Sequence, residues 1–382
     1  MLKRVLVFVW ICLMGFVLST YAQSADTVFT FPFHMDSRLI VFEGEMNGMP
    51  ANFAFDTGAA LGLAGNDFVD SKQVKIKGKR MTIRDSNDQT KRVKTGYTDE
   101  MKIGGFTVSN VKSLITEMPY LACQDFYLLG SNVIKLLNWQ IDFDRMEIRA
   151  SKEPFEVSPD YISLPVSYSS NRPFTTLKFG GMKFENILID TGFSNILEVD
   201  NSSELVLSYL GEKEKLGLSH SNISLSTGAI SQQIVESAQL KVDSLELGSG
   251  VFVSIPTDFE STKSSKLGIG FFRGLSHKTI INNSESTYHL LLRESYSFRD
   301  PFFLNLQYQD GKVIVSGKSL EVDDVYSQIE LGEEILSING IPTSDFIEEC
   351  DFVNWYFTYD ADDMTIKTST GKTLKVARTA LN

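Results

Sequence analysis

The sequence predicts a mainly β protein of 382 residues, built from two similar lobes and a small C-terminal α+β domain. Short alternating segments broken by Gly, Asn, Asp and Ser predict strands and turns along most of the chain. The tripeptide Asp-Thr-Gly occurs twice, at 56–58 and 190–192, each time after three apolar residues. The chain from about Ser295 onward lies outside both copies, and its roughly 85 residues are the size of one small domain.

The repeat extends well beyond the two tripeptides. Each copy is followed by a Leu-Gly pair, Leu129-Gly130 in the first half and Leu267-Gly268 in the second. From Asp56 to the first of these glycines is 74 residues, and from Asp190 to the second is 78. Such closely matched spacing predicts a duplicated lobe in which each half supplies one carboxylate.

Asp56 and Asp190 are the candidate catalytic residues. Peptide hydrolysis by water needs a base that activates the water and an acid that protonates the scissile group. Two carboxyl groups that share one proton can do both, because like charges a few ångströms apart cannot both ionise easily. Their titration then belongs to the pair rather than to either residue.

Three kinds of residue can support such a carboxyl pair, and each kind occurs once in each half of the chain. A threonine hydroxyl can hydrogen-bond across the lobe interface and hold the two turns in register. The glycine after it permits a tight turn that bulkier residues would strain. The glycine of the later Leu-Gly pair lets a second strand pack closely behind the turn. The three pairs are Thr57 and Thr191, Gly58 and Gly192, and Gly130 and Gly268.

On these motifs, residues 25–295 resemble a two-lobed aspartic peptidase of the retropepsin and pepsin clan. The resemblance implies two tandem acid-protease-like β-barrel lobes, at 23–152 and 153–295, closer in size to fused retropepsin subunits than to pepsin lobes. It implies that Asp56 and Asp190 hold the nucleophilic water between them and that the threonines form an interlobe grip. One chain would then be sufficient for the site, without dimerisation.

The sequence departs from the pepsin pattern directly after each tripeptide. Pepsins usually have Ser or Thr there, and the hydroxyl stabilises the ionised carboxylate, whereas this chain has Ala59 and Phe193. Losing a hydrogen bond to the charged form raises the pKa of a carboxyl group. We therefore expect a pH optimum less acidic than that of pepsin.

Residues 296–382 resemble a PDZ domain. The segment 332–340, Gly-Glu-Glu-Ile-Leu-Ser-Ile-Asn-Gly, is similar to the PDZ signature Gly-Asp-x-Ile-x-x-Ile-Asn-Gly, with Glu333 in place of Asp. PDZ domains bind extended peptides by adding a strand to a sheet edge, so the resemblance implies a possible peptide ligand. The alternative is a small structural domain that braces the second lobe.

The first 22 residues are typical of a secretory signal peptide. Lys3 and Arg4 precede an apolar stretch at 5–18, and Thr20-Tyr21-Ala22 offers small residues for cleavage. The stretch is about 14 residues, short of the roughly 20 needed to span a bilayer, so we expect cleavage rather than an uncleaved anchor and no stable membrane span. The signal-like segment therefore predicts export to the periplasm or the extracellular space.

Charge and cysteine content exclude several classes of protein. The net charge is −12, or −14 without the signal segment, which argues against nucleic acid and anionic membranes as partners. The four histidines are scattered, so we expect no metal and no cofactor. Cys123 and Cys350 remain after cleavage, far apart and in different predicted domains, and we expect two free structural thiols rather than a disulfide.

The sequence thus predicts an exported aspartic endopeptidase acting on polypeptides. Two alternatives stay open at this point. One is a peptidase-like fold that holds extended peptides without cleaving them. The other is an assembly scaffold in which the PDZ-like domain is the working part.

Overall fold

The computed structural model describes residues 27–36, 38–84, 89–116, 123, 125–227, 232–262, 264–321 and 325–381. The predicted signal segment lies outside the described residues. Strands predominate over helices in the described part, which confirms the prediction of a mainly β fold. No helix in these ranges is both long and apolar enough to cross a membrane.

The strands of the first lobe and its edge are β1 (Phe29–Pro32), β2 (His34–Asp36), β3 (Leu39–Met46), β4 (Met49–Phe55), β5 (Gly62–Ala64), β6 (Lys75–Arg84), β7 (Thr90–Ile103), β8 (Phe106–Ile115), β9 (Phe126–Leu129), β10 (Asn138–Asp142) and β11 (Glu147–Ser151). Those of the second lobe are β12 (Ile162–Pro165), β13 (Ser167–Ser169), β14 (Arg172–Phe179), β15 (Met182–Asp190), β16 (Leu197–Asp200), β17 (His220–Thr227), β18 (Gln232–Leu247), β19 (Gly250–Glu260), β20 (Lys266–Gly268), β21 (Ser276–Asn282) and β22 (Thr287–Leu292). The C-terminal region contains β23 (Leu304–Gln309), β24 (Lys312–Ser319), β25 (Ile335–Ile338), β26 (Ile341–Pro342), β27 (Asp363–Thr368) and β28 (Thr373–Ala377). The α-helices are α1 (Asn66–Ser71), α2 (Ser131–Ile134), α3 (Glu204–Lys215), α4 (Ile269–Leu275) and α5 (Glu349–Thr358).

The two lobes repeat one strand order. The first lobe contains the run β4-β9-β5-β8-β7-β6, and the second contains β15-β20-β16-β19-β18-β17. Strand directions also match, since β4–β9 and β15–β20 are parallel, as are β5–β8 and β16–β19. The repeat inferred from spacing is therefore a repeat of topology.

A shared sheet fixes the lobes against each other. Its order is β1-β11-β10-β21-β22-β12, and the β10–β21 pairing joins the first lobe to the second. Trp139 of β10 lies opposite Ile281 of β21, and its ring meets that of Phe55 edge-on at 5.1 Å. Because Phe55 is the last residue of β4, the core of this sheet reaches the strand that ends at Asp56.

The C-terminal region has its own apolar core between Phe303 and Leu381, yet it is attached to the second lobe. Strand β24 pairs antiparallel with β17, from Asn222 opposite Ser319 to Ser224 opposite Gly317, and so continues the sheet of that lobe. A separate sheet of order β26-β25-β27-β28 lies in the same region. The PDZ-like identity and the domain boundaries stay predictions.

The expectation of two free thiols is wrong. Cys123, which precedes β9, forms a disulfide with Cys350 of α5, across 227 positions of sequence. The fold brings α5 to the first lobe, where Arg38 also lies over the ring of Phe357 at 5.8 Å. Spacing alone could not show this, since pairing depends on which elements become neighbours. The bond ties the C-terminal region to the first lobe, while β24 ties it to the second, and closing so long a loop stabilises the fold by about 2–4 kcal/mol.

Candidate active site

The two aspartates occupy equivalent positions. Asp56 follows the last residue of β4, and Asp190 is the last residue of β15. The Asp56 amide donates to the carbonyl of Leu129 at 3.0 Å, and Asp190 lies opposite Gly268 in the parallel ladder. Asp56 is 9% exposed, and Asp190 is partly buried. Each carboxyl group is thus held by a strand whose backbone is fixed in the core.

The glycine after each threonine lies against the carboxyl group of the opposite lobe. A Cβ atom on Gly58 would lie 2.2 Å from Cγ of Asp190, and one on Gly192 would lie 2.4 Å from Cγ of Asp56. Each turn therefore lies directly against the carboxyl group of the other lobe. The two carboxyl groups are close enough for each to influence the pKa of the other. The predicted pair is brought together within one chain.

The threonines make a reciprocal set of hydrogen bonds. The Thr57 amide donates to Oγ1 of Thr191, and the Thr191 amide donates to Oγ1 of Thr57, both at 3.0 Å. Each hydroxyl then donates across the interface, Thr57 to the carbonyl of Ile189 at 2.7 Å and Thr191 to that of Phe55 at 3.0 Å. Both side chains are buried. Each hydroxyl is satisfied as donor and acceptor, so the network resists separation of the lobes.

The later glycines lie behind the turns. A Cβ atom on Gly130 would lie 2.5 Å from the carbonyl carbon of Leu61, and one on Gly268 would lie 2.2 Å from the carbonyl oxygen of Asn195. Both glycines immediately precede a short helix, α2 or α4. No larger residue fits at either position without moving backbone, which is the packing role expected for them.

The turns also donate directly to the carboxylates. The amides of Gly58 and Ala59 reach Oδ1 of Asp56 at 2.8 and 3.0 Å, and the amide of Gly192 reaches Oδ1 of Asp190 at 3.0 Å. Ala59 adds no hydroxyl donor. The ring of Phe193 lies 4.6 Å from the ammonium nitrogen of Lys266, so this bulky residue is accommodated beside the turn.

Comparison with known proteins supports a peptidase-like reading of the first lobe. Residues 42–133 match the family model described as aspartyl protease. This is an aspartic peptidase-like region. The match includes the first tripeptide and Gly130. Among curated proteins none matches the chain significantly.

A solved structure described as "Crystal structure of edgp" is similar to the chain at 9% identity, over 70% of this chain and 95% of that one, with a TM-score of 0.39. At that score the likeness supports no statement about this chain. The peptidase-like region therefore rests on the family match.

The charge of Lys266 distinguishes the two carboxyl groups in their acidity. Burial and the neighbouring charge of Asp190 hold the pKa of Asp56 well above its usual range, although the amides of Gly58 and Ala59 act in the opposite direction. Burial also raises the pKa of Asp190, but the Lys266 ammonium lowers it. The Lys266 charge therefore favours ionisation of Asp190 over that of Asp56 within the pair.

Lys266 is a site residue that the sequence analysis missed. It lies on β20, is 9% exposed, and forms an ion pair with buried Glu198 at 3.0 Å. Leu128 holds the equivalent position on β9, two residues before the glycine, so the charge makes an otherwise symmetric pair asymmetric. A lysine two residues before the glycine of the second Leu-Gly pair, where the first lobe has Leu128, was a visible signal, because lysines are rarely buried without a partner.

Replacing this lysine is expected to move the pH profile. In Lys266→Met the pKa of Asp190 rises, because the nearby positive charge that lowers it is gone. The ionised base then forms only at higher pH, so the acid limb of kcat/KM moves to higher pH. Measuring kcat/KM from pH 3 to 8 checks this. Lys266→Arg, which keeps the charge, should leave the limb near its original position, and a limb that moves to lower pH in Lys266→Met would contradict the assignment.

Proposed function

We propose that the protein is an exported aspartic endopeptidase that hydrolyses peptide bonds of polypeptides with a water held between Asp56 and Asp190. The observation that carries the proposal is the mutual placement of the two turns, in which each glycine lies against the carboxyl group of the other lobe. The family match over residues 42–133 supports the class of enzyme. Export rests on the signal-like residues 1–22.

Both carboxyl groups have a role in the proposed reaction. Ionised Asp190 takes a proton from the water as its oxygen bonds to the scissile carbonyl carbon. Protonated Asp56 gives its proton to the carbonyl oxygen, which yields a neutral tetrahedral intermediate. The proton on Asp190 then passes to the amide nitrogen as the carbon–nitrogen bond breaks, and a hydroxyl proton of the intermediate returns to Asp56. The pair ends in its starting protonation state.

The test is cleavage of an unfolded protein substrate by the purified chain. We expect fragments with new termini, detected by mass spectrometry, and inhibition by pepstatin but not by a metal chelator. A broad peptide library left intact between pH 3 and 8 would instead favour a protein that holds peptides without cleaving them. A scaffold would lose its partners on deletion of residues 296–382, whereas an endopeptidase should keep part of its activity.

A further inference from the structure

A cavity of about 110 Å³ lies where the second lobe meets the C-terminal region. Strands β16, β17, β18 and β19 supply one wall, and the segment from Phe302 to Asn305, with Lys318, supplies the other. This volume is several times what one water molecule requires. The cavity therefore has room for a polar group of several atoms.

Three carboxyl groups lie in the wall formed by the second lobe. Glu198 of β16 lies opposite Asp258 of β19 in register, and Glu260 lies two residues along on the same face. Lys266 pairs with Glu198, and neither Asp258 nor Glu260 forms an ion pair among the described residues, although the Lys266 charge lies near both. Lys318 does not neutralise them, since its ammonium donates to the backbone carbonyls of residues 326 and 329.

Hydrogen-bond acceptors without donors line the same cavity. Asn222 is 8% exposed, and its Oδ1 is fully buried with no hydrogen-bond partner among the described residues. The same holds for Oε1 of Gln239, whose amide nitrogen donates to Asp258. No described residue donates to the carboxylate of Glu260. Buried acceptors left unpaired cost free energy, so the cavity favours a ligand rich in N–H donors.

The acidity of the two carboxyl groups agrees with a missing cation. Burial raises the pKa of Asp258 to about 6 and that of Glu260 to about 7, and the charge of Glu198 acts in the same direction, whereas the Lys266 ammonium only partly offsets these effects. Both groups would ionise more readily beside a bound positive charge. No cluster in the described ranges is arranged to hold a metal ion, so an organic cation fits the cavity better than a divalent metal.

The cavity adjoins the active site through Asn195. This residue follows Asp190 by five positions, and its backbone carbonyl lies against Gly268. Its side chain donates to Oδ2 of Asp258 at 3.2 Å. Asn195 therefore connects the cavity wall to the turn that follows Asp190.

We propose that this cavity is a specificity subsite that binds the guanidinium or ammonium group of an Arg or Lys side chain of the polypeptide substrate. The inference rests on the proposed peptidase function and names a substrate class for it. The five N–H donors of a guanidinium match the oxygen acceptors of the Asp258 and Glu260 carboxylates in the cavity wall. The cavity exists only with the C-terminal region in place, so that region takes part in substrate selection.

The test compares matched peptides that carry one Arg or its neutral isostere citrulline at each position within four residues of the scissile bond. We expect one position at which Arg raises kcat/KM by about tenfold to a hundredfold over citrulline. In Asp258→Asn and in Glu260→Gln the ratio should fall toward one. Asp243→Asn, which removes an exposed acid of the same lobe, should keep the full ratio.

A ratio near one at every position in the wild type, or a preference unchanged in both cavity variants, would overturn the proposal. Two variants are used because Asp258 accepts two hydrogen bonds within the fold, whereas Glu260 accepts none from described residues. If no peptide is cleaved, the peptidase proposal fails, and binding of the same peptides to wild type and Glu260→Gln is measured by fluorescence anisotropy. Tighter binding of the Arg peptides that is lost in the variant would then support the cavity as a basic-side-chain site, and equal binding would refute it.

Discussion

Asp190→Asn is expected to lower kcat by about a thousandfold or more while leaving the fold and substrate binding nearly unchanged. The amide has almost the shape of the carboxyl group but cannot take a proton from water. Asp56→Asn should lose as much, because an amide cannot supply the proton that the carbonyl oxygen needs. Steady-state kinetics on a peptide cleaved by the wild type gives the numbers, and circular dichroism reports the fold.

The two losses should not add. Groups that act as one unit give single and double variants of similar activity, so Asp56→Asn/Asp190→Asn should resemble either single variant. Asp243→Asn serves as the control, since its side chain is 79% exposed and lies outside the carboxyl pair. Retention of more than a tenth of wild-type kcat in Asp190→Asn would rule out its role as the base.

Gly58→Ala is the prediction with the next largest effect. The added methyl carbon would lie 2.2 Å from Cγ of Asp190, a distance at which the carboxyl group or the turn must move. A displacement of about 1 Å in a catalytic group costs about a hundredfold in rate, so we expect at least that loss in kcat/KM. Gly192→Ala should behave in the same way, because the contact is reciprocal.

Gly211→Ala is the matched control for this substitution. Gly211 lies within α3, and a Cβ atom there meets nothing within 4 Å. Alanine should therefore leave activity unchanged and stabilise the helix by up to about 1 kcal/mol. Equal activity of Gly58→Ala and Gly211→Ala would show that the turns are not packed against the carboxyl groups.

The two lobes could be predicted because the patterns that indicate them, namely strand periodicity and two spaced turn motifs, are visible along the sequence. In each lobe the Asp-Thr-Gly turn follows a buried strand, and the later Leu-Gly pair lies at a closely matched distance along the chain, beside the same strand. Such spacing can be counted along the sequence, so Asp56, Asp190 and their supporting residues could be named in advance. Their catalytic roles stay a prediction until the variants are assayed.

The residues that were missed depend on contacts between distant elements. Cys123 and Cys350 are 227 positions apart, and nothing near either one indicates that α5 meets the first lobe. The role of Lys266 depends on two residues of the strands on either side of β20, Glu198 of β16 and Asp190 of β15. Each of these residues is visible in the sequence, but the contacts that give it a role form only when the chain folds.

The sequence by itself determined the mainly β class, the duplication and the two Asp-Thr-Gly turns, because strand periodicity, turn chemistry and spacing are local properties. Only the tertiary structure decided which carboxyl group is more acidic, how the C-terminal region is anchored and where a cavity lined by acids forms. Acidity depends on burial and on charges brought near by folding, and a cavity exists only between surfaces already in place. Asp190 differs from Asp56 because Lys266 lies near it, and that proximity arises when β15 and β20 pair.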